Sequence, residues 1–421
     1  MFLGLDFGTS GARACAIDDD KLIVHEQRVA YVNPGQQTPQ DWRTALLELL
    51  NGLPQDIAAR LRGIAIDGTS GTVLLCDEGL APVSDALLYN DDRARQQAEQ
   101  LAAIAPAGHT VLNPTSGLAK FLWLTRRAEQ AHYFMHQADW LTALLSGRPG
   151  ISDYHNALKS GYDVERLRWP DWVLALPHAH LLPDVVAPGA DIGPIRADLA
   201  ARFGIAPSCR IHAGTTDSTA AFIASGVNQP GIGVTSLGTT LVLKQLSDRR
   251  IEAPEYGVYS HRYGELWLVG GASNAGAGIL KDYFDEQRLA ELSALIDVLQ
   301  DSPLDYYPLS KPGERFPVND PRLAPRVARP DAIDDAAFLH GLLQGLSRIE
   351  VAGYARLAEL GAPALRSVLS CGGGAKNEIW MKLRERLLGV PVGTANHAEA
   401  AYGCALLCMN LFSPLRSLSS N

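Results

Sequence analysis

The chain has 421 residues, of which 47% are hydrophobic and 20% charged. This is the composition of a globular protein with room for two large domains or three small ones, and it argues against disorder. Basic residues number 37 against 46 acidic ones, a net charge of −9. That balance argues against a nucleic-acid partner and requires any anionic ligand to be held by local donors.

The first predicted elements are a β-hairpin. Phe2 to Phe7 is apolar apart from Asp6, Gly8-Thr9-Ser10-Gly11 turns the chain, and Ala12 to Ile17 returns. A third strand is predicted at Leu22 to Val32. Pro39-Gln40-Asp41-Trp42 then opens a helix whose leucines, Leu46, Leu47, Leu49 and Leu50, fall at helical spacing. Gly63 to Ile66 is a short apolar strand that ends in a second small-residue turn, Asp67-Gly68-Thr69-Ser70-Gly71. Strands followed by a helix and a further strand predict an α/β fold with mixed strand directions.

The same series recurs later. Val234 to Leu237 and Leu241 to Leu246 flank the turn Gly238-Thr239-Thr240, a helix is predicted from Ala336 to Leu360, and the strand Ser367 to Ser370 runs into Gly372-Gly373-Gly374. Asp6-Phe7-Gly8-Thr9-Ser10 aligns on Ser236-Leu237-Gly238-Thr239-Thr240. Asp67 to Ser70 aligns on Cys371 to Gly374. The second copy is longer, which predicts an insertion at Glu252 to Arg329. Two such units predict a duplicated, two-lobed architecture.

Four turns carry candidate chemistry. In Asp6 to Gly11, glycines let backbone N–H groups approach a phosphate, Thr9 and Ser10 add hydroxyls, and the Asp6 carboxylate suits Mg²⁺ beside that phosphate. A plain hairpin turn is the bland alternative. Gly238-Thr239-Thr240 repeats the turn with Ser236 in place of the acid, so the pair suits one Mg²⁺–nucleotide. Asp217, in Ala213-Gly-Thr-Thr-Asp217-Ser218, reads either as a helix N-cap or as a general base. Cys371-Gly-Gly-Gly-Ala-Lys-Asn377 precedes a helix at Glu378 to Leu388, and its glycines permit close approach of a flat ring or a phosphate. Cys371 reads as a structural thiol. His132 and His136 have the spacing of a helical metal pair but lack the flanking acid of a zinc protease. Neither a Walker A sequence nor GxGxxG is present, which argues against nicotinamide chemistry.

Together, and in this order, these motifs resemble the FGGY carbohydrate kinases of the actin-like ATPase superfamily. Gln137-Ala-Asp-Trp-Leu141, Ser152-Asp153-Tyr154 through Gly161-Tyr162-Asp163, and Gly270-Gly-Ala-Ser-Asn-Ala-Gly276 extend the resemblance over essentially the whole chain. Ile64 to Asp77, Leu304 to Pro308 and Gly313 to Pro317 resemble the short D-ribulose kinase subgroup. The resemblance implies two actin-like (ribonuclease H-like) α/β lobes with an ATP cleft between them. The N-terminal lobe is expected at 1–224, completed by a helix at 398–413, and the nucleotide lobe at 225–397. It also implies residue roles. Asp217 matches the catalytic base. Asp6, Ser70 and Asp217 match pentulose contacts, and Asp6 also matches the acid beside the metal. Gly8, Thr9, Ser10, Gly238 and Thr239 match phosphate hairpins; Gly373, Gly374 and Asn377 match the adenosine pocket. Gly270, Gly271, Gly276 and Gly278 fall in loops assigned to ligand. Arg93, in Asn90-Asp-Asp-Arg93, resembles the segment where longer members place a sugar-contacting arginine.

The implied activity is phosphorylation of a ketopentose by ATP with Mg²⁺, D-ribulose giving D-ribulose 5-phosphate. Xylulokinase is the alternative within the class, and an actin-like ATPase switch without sugar transfer the alternative outside it. The expected partners are a small sugar and ATP, without nucleic acid or membrane. Cysteines without a CxxC pair and an N-terminus without a basic, cleavable leader lead to an expected cytoplasmic location.

Overall fold

The computed structural model describes residues 1–127 and 129–409. The chain forms two compact units, Met1–Ala224 with Glu399–Asn421, and Ser225–Ala398. Each has its own sheet.

In the first unit, β1 (Phe2–Phe7), β2 (Gly11–Ile17) and β3 (Ile23–Ala30) form an antiparallel meander. α1 (Pro39–Asn51) follows. Thr38 and Asp41 cap it reciprocally, and Trp42, Ala45, Leu46, Leu49 and Leu50 form its buried stripe. β4 (Gly63–Gly68) then pairs with β1 in parallel. It is two residues longer than the sequence predicts, because Asp67 and Gly68 continue the pairing opposite Asp6 and Phe7. β5 (Val73–Cys76), α2 (Gly117–Leu124), β6 (Tyr133–His136) and α3 (Gln137–Ser146) pack beside this sheet. β7 (Asp191–Pro194), β8 (Arg210–His212) and β9 (Thr215–Thr216) complete it, giving the order β3-β2-β1-β4-β8-β7 with β9 also on β4. α4 (Asp217–Ala224) closes the segment.

The second unit repeats the plan. β10 (Ile232–Leu237) and β11 (Leu241–Ser247) form the hairpin, with β12 (His261–Tyr263) and β13 (Leu266–Ala272) beyond it. α5 (Asp335–Glu359) leads to β14 (Ser367–Cys371), α6 (Glu378–Leu388) and β15 (Val392–Thr394). The order is β12-β13-β11-β10-β14-β15. β13 is the counterpart of β3, so the stretch expected as one insertion, Glu252 to Arg329, contains a core strand. Trp267 to Ala272 pair antiparallel with Ser247 to Val242 of β11.

The chain then re-enters the first unit as α7 (Ala400–Leu407). The helix expected at 398–413 is therefore shorter, and residues 410–413 lie outside the described residues. α7 lies directly on β1 and α4. A Cβ on Gly4 would sit 1.9 Å from the Ala401 carbonyl oxygen, and one on Gly403 would sit 1.9 Å from that of Ala220. Only glycine permits such an approach. Gly403→Ala is expected to lower the unfolding free energy by about 3 kcal/mol or more. Gly35→Ala, whose Cβ meets nothing, should change it by under about 0.5 kcal/mol. Urea denaturation of both variants checks the contrast.

Candidate active site

Three strand ends gather three acidic side chains of the first unit. Asp6, next to last in β1, is in register with Asp67 on β4, and Thr215 of β9 pairs with Asp67 from the other side. Asp217 follows two residues later as the first residue of α4. Its Oδ1 accepts a hydrogen bond from the Ser218 N–H at 2.6 Å.

Asp6 and Asp67 are both buried, at 4% and 0% exposure. Burial pushes the Asp67 carboxyl well above the usual range, and the neighbouring Asp6, then Asp217, push it further. Burial also raises Asp6, but its hydrogen bond with Asp67 and the charge of Arg13 oppose the rise. Both carboxyls are thus harder to ionise than in water, Asp67 the more so. Arg13 Nη1 lies 3.3 Å from Asp6 Oδ2 and 3.0 Å from Glu399 Oε2. The Cys404 thiol donates to Asp67 Oδ2 at 3.2 Å.

The Asp67–Gly71 turn is held by its neighbours. The Gln137 side-chain oxygen accepts from the Thr69 N–H at 3.0 Å and lies 3.1 Å from its hydroxyl. Ser70 Oγ is buried without a protein partner. A buried hydroxyl left open in this way suits a polar ligand atom.

The Gly8–Gly11 turn closes through Gly8 N–H to the Gly11 carbonyl at 3.1 Å. Gln37 Nε2 donates to the Thr9 carbonyl at 2.7 Å. Thr9 and Ser10 remain exposed at the tip. One carboxylate at the base of a donor-rich turn fits Mg²⁺, which keeps several waters and takes its other ligands from phosphate. Among the described residues no group of three or more His, Cys, Asp or Glu could hold a metal ion by itself.

His132 and His136 do not form the helical pair that their spacing suggests. Tyr133–His136 is a strand. The His136 ring is buried, with Nδ1 2.6 Å from Asp139 Oδ2 and Nε2 2.9 Å from Ser160 Oγ. Arg93 is likewise committed elsewhere. Its guanidinium pairs with Asp91 at 2.8 Å and lies 5.2 Å from the Trp123 ring centroid. It lines a cavity of about 1020 Å³ with Gln37, Leu80 and Trp140, and Asp6, Ser70 and Asp217 are not in that wall.

In the second unit, Gly238 and Thr239 form the β10–β11 turn, with Thr239 exposed at its tip. Their carbonyls accept from Ala277 and Gly278 N–H at 2.9 and 3.2 Å. A Cβ on Gly276 would meet the Thr239 carbonyl oxygen at 2.4 Å, and one on Gly271 the Phe316 ring at 2.5 Å. At these positions, as at Gly270 and Gly278, a side chain would run into protein. Gly373 has open space where a Cβ would be, whereas Gly374 packs against Trp380 and Leu237. Asn377 caps α6 through Oδ1 to Trp380 N–H at 3.0 Å and donates from Nδ2 to Ser293 Oγ at 2.8 Å. Cys371 is half-buried, donates to the Thr235 carbonyl at 3.7 Å, and burial raises its thiol pKa. That agrees with a structural thiol.

The residue models of two domains match this chain. The N-terminal domain of the FGGY family of carbohydrate kinases matches residues 1–224, and the C-terminal domain of the same family matches residues 233–411. The chain belongs to the FGGY family of carbohydrate kinases. A xylulose kinase of Klebsiella pneumoniae is 26% identical over 349 residues, covering 76% of this chain and 71% of that protein. A xyloylose kinase structure from Brucella ovis superposes with a TM-score of 0.83 at 25% identity, over 98% of this chain and 90% of that one. A Plasmodium falciparum glycerol kinase structure with ADP gives the same TM-score at 16% identity, over 97% of this chain and 89% of that one. As an FGGY chain, the protein is a carbohydrate kinase with the two-domain, actin-like α/β fold. Among the described residues no helix is long and apolar enough to cross a membrane.

Several site features were not singled out from sequence. Asp67 was noted only as part of a turn, though a lone acid after Ile64-Ala65-Ile66 was the available signal. Arg13 becomes visible once the hairpin register sets it opposite Asp6. Beneath the second hairpin lies a buried ion pair that nothing local announced. Arg384 makes two 2.6 Å bonds to Glu350, and Glu350 Oε1 accepts from Thr235 on β10 at 2.6 Å. Arg384 also donates to Ser370 on β14 at 2.7 Å. Glu350→Ala leaves Arg384 buried and unpaired, and is expected to lower the stability of this unit by about 3–5 kcal/mol. Equilibrium urea denaturation of the variant measures that loss.

Proposed function

We propose that this carbohydrate kinase transfers the γ-phosphoryl group of ATP to the terminal hydroxyl of a ketopentose, with Asp217 as general base. The observation that carries the reading is the gathering of Asp6, Asp67 and Asp217 at adjoining strand ends, beside a turn whose Ser70 Oγ is buried and open. In this reading Asp217 accepts the proton of the sugar hydroxyl as its oxygen bonds to the γ-phosphorus and the bond to ADP breaks. Ser70 and Asp6 orient the sugar. Gly8, Thr9, Ser10, Gly238 and Thr239 supply donors to the phosphates, and Gly373 leaves room for the nucleoside. Asn377 acts through the seating of α6. Asp6 would hold Mg²⁺, which when bound would supply positive charge to the phosphate oxygens. Burial of Asp67, which disfavours its charged form, favours leaving the charge to Asp6.

D-xylulose is the sugar favoured by the relatives named as xylulose kinases. D-ribulose is the second reading, supported by the Asp67-Gly68-Thr69-Ser70 turn and its likeness to the short D-ribulose kinase subgroup. The two sugars are epimers at one carbon, so a single hydroxyl contact can separate them. Purified protein with ATP, Mg²⁺ and a panel of D-xylulose, D-ribulose, gluconate and glycerol is expected to show its highest kcat/KM on D-xylulose. A clear preference for D-ribulose selects the second reading. Preference for glycerol or gluconate over both defeats the ketopentose assignment. Asp217→Ala is expected to lower kcat by about 10²–10⁴-fold. A folded Asp217→Ala variant of near-normal kcat removes the general base from the proposal.

A further inference from the structure

Lys120 is fully buried on α2, a helix whose other inward residues include Leu118, Ala119 and Phe121. An ammonium in such surroundings is expensive, and a Leu or Met would fill the space without a charge to bury. Desolvation pulls its pKa down to about 7, against the opposing pull of Asp91. What the lysine supplies is two hydrogen bonds to backbone. Nζ donates to the Gly71 carbonyl at 2.7 Å and to the Leu88 carbonyl at 2.6 Å.

Those two carbonyls belong to different segments. Gly71 ends the turn that carries Ser70, and its φ of +82° is one that only glycine adopts easily. Leu88 begins the segment that leads to Asp91 and Arg93. One turn further along the same helix, Trp123 packs against the Arg93 guanidinium. α2 thus grips both segments, the first through the buried Lys120 Nζ and the second through that nitrogen and a ring. On its other side the Ser70 turn is held by Gln137 of α3. Ser70 itself is left for a ligand.

We propose that Lys120 is a positioning residue for the sugar, holding the Ser70 turn at a fixed height by its bonds to Gly71 and Leu88. The inference rests on the ketopentose-kinase reading above. It assigns Lys120 to sugar binding through Ser70, without contact to sugar or nucleotide. A lysine that only stitches the core would lower stability when replaced and leave the affinity of the folded enzyme for sugar unchanged.

The test compares Lys120→Met, Lys120→Arg and Gly71→Ala with the wild type, using whichever sugar the wild type phosphorylates best. Lys120→Met is expected to raise the sugar KM about tenfold, the scale of one lost hydrogen bond, with the ATP KM within about twofold of wild type. Lys120→Arg keeps the donors and should bring the sugar KM back to within about threefold of wild type. Gly71→Ala moves the other partner. Its Cβ would stand 3.2 Å from the Thr115 carbonyl oxygen at an unfavourable φ, so it too should raise the sugar KM selectively. It also decides the matter if Lys120→Met does not fold. A folded Lys120→Met with unchanged sugar KM overturns the proposal, as does an equal rise in both KM values, and so does an unchanged sugar KM in Gly71→Ala. A wild type that phosphorylates no sugar defeats the parent reading instead, and this one with it.

Discussion

Two carboxyl groups side by side on parallel strands cannot both be charged in a buried place. This constraint organises the first unit. The register of β1 and β4 puts Asp6 beside Asp67, and the sheet gives neither acid an escape to solvent. The surroundings are asymmetric. Asp67, the deeper of the two, is pushed well above the usual carboxylate range by burial and is backed by the Cys404 thiol on α7. Asp6 lies towards the hairpin and is met by Arg13 from the facing strand. The strand order, the glycine that admits α7 and the arginine opposite Asp6 all serve to give two identical groups unlike surroundings.

The second unit shows the same backbone plan relieved of that constraint. Ser236 stands where Asp6 does, and Cys371 where Asp67 does, as the paired registers show. No buried acid pair remains at these strand ends. Charge has moved one layer inwards, to Glu350 and Arg384, which join α5, α6, β10 and β14 through bonds to Thr235 and Ser370. A duplicated frame thus carries an anionic strand end in one copy and neutral strand ends over a closed ion pair in the other. Such a division fits one metal-associated phosphate contact and one purely donor contact.

Much of this was legible in the sequence, and the failures follow a pattern. Local signals served well: α6 falls at Glu378–Leu388 as its pattern predicts, and both hairpins turn at their Gly-Thr tips. What the sequence hid were relations between distant residues. The glycines at 270–278 look like a ligand loop, but the groups that fill their missing side chains are Phe316, Leu243 and the hairpin itself. His132 and His136 keep the period of a helix in a segment that pairs as a strand with β5, because the tertiary partner overrides the local period. Asn377, which the resemblance assigns to the adenosine pocket, binds protein through both ends of its side chain. Lys120 gave no signal at all, since its partners are backbone carbonyls of two other segments.

The return of the chain through α7 has a consequence for synthesis. The sheet of the first unit emerges from the ribosome early, yet the helix that covers β1 and lies against α4 comes almost 400 positions after β1. Until then the groove shaped by Gly4 and Ala220 stands open, and the second unit is made in the interval. The second unit can fold as a local continuous segment, whereas the first is sealed only by a contact of very long sequence separation. The domain that begins the chain is therefore the last to be finished, and the acid pair at its strand ends gains its Cys404 partner in that final step.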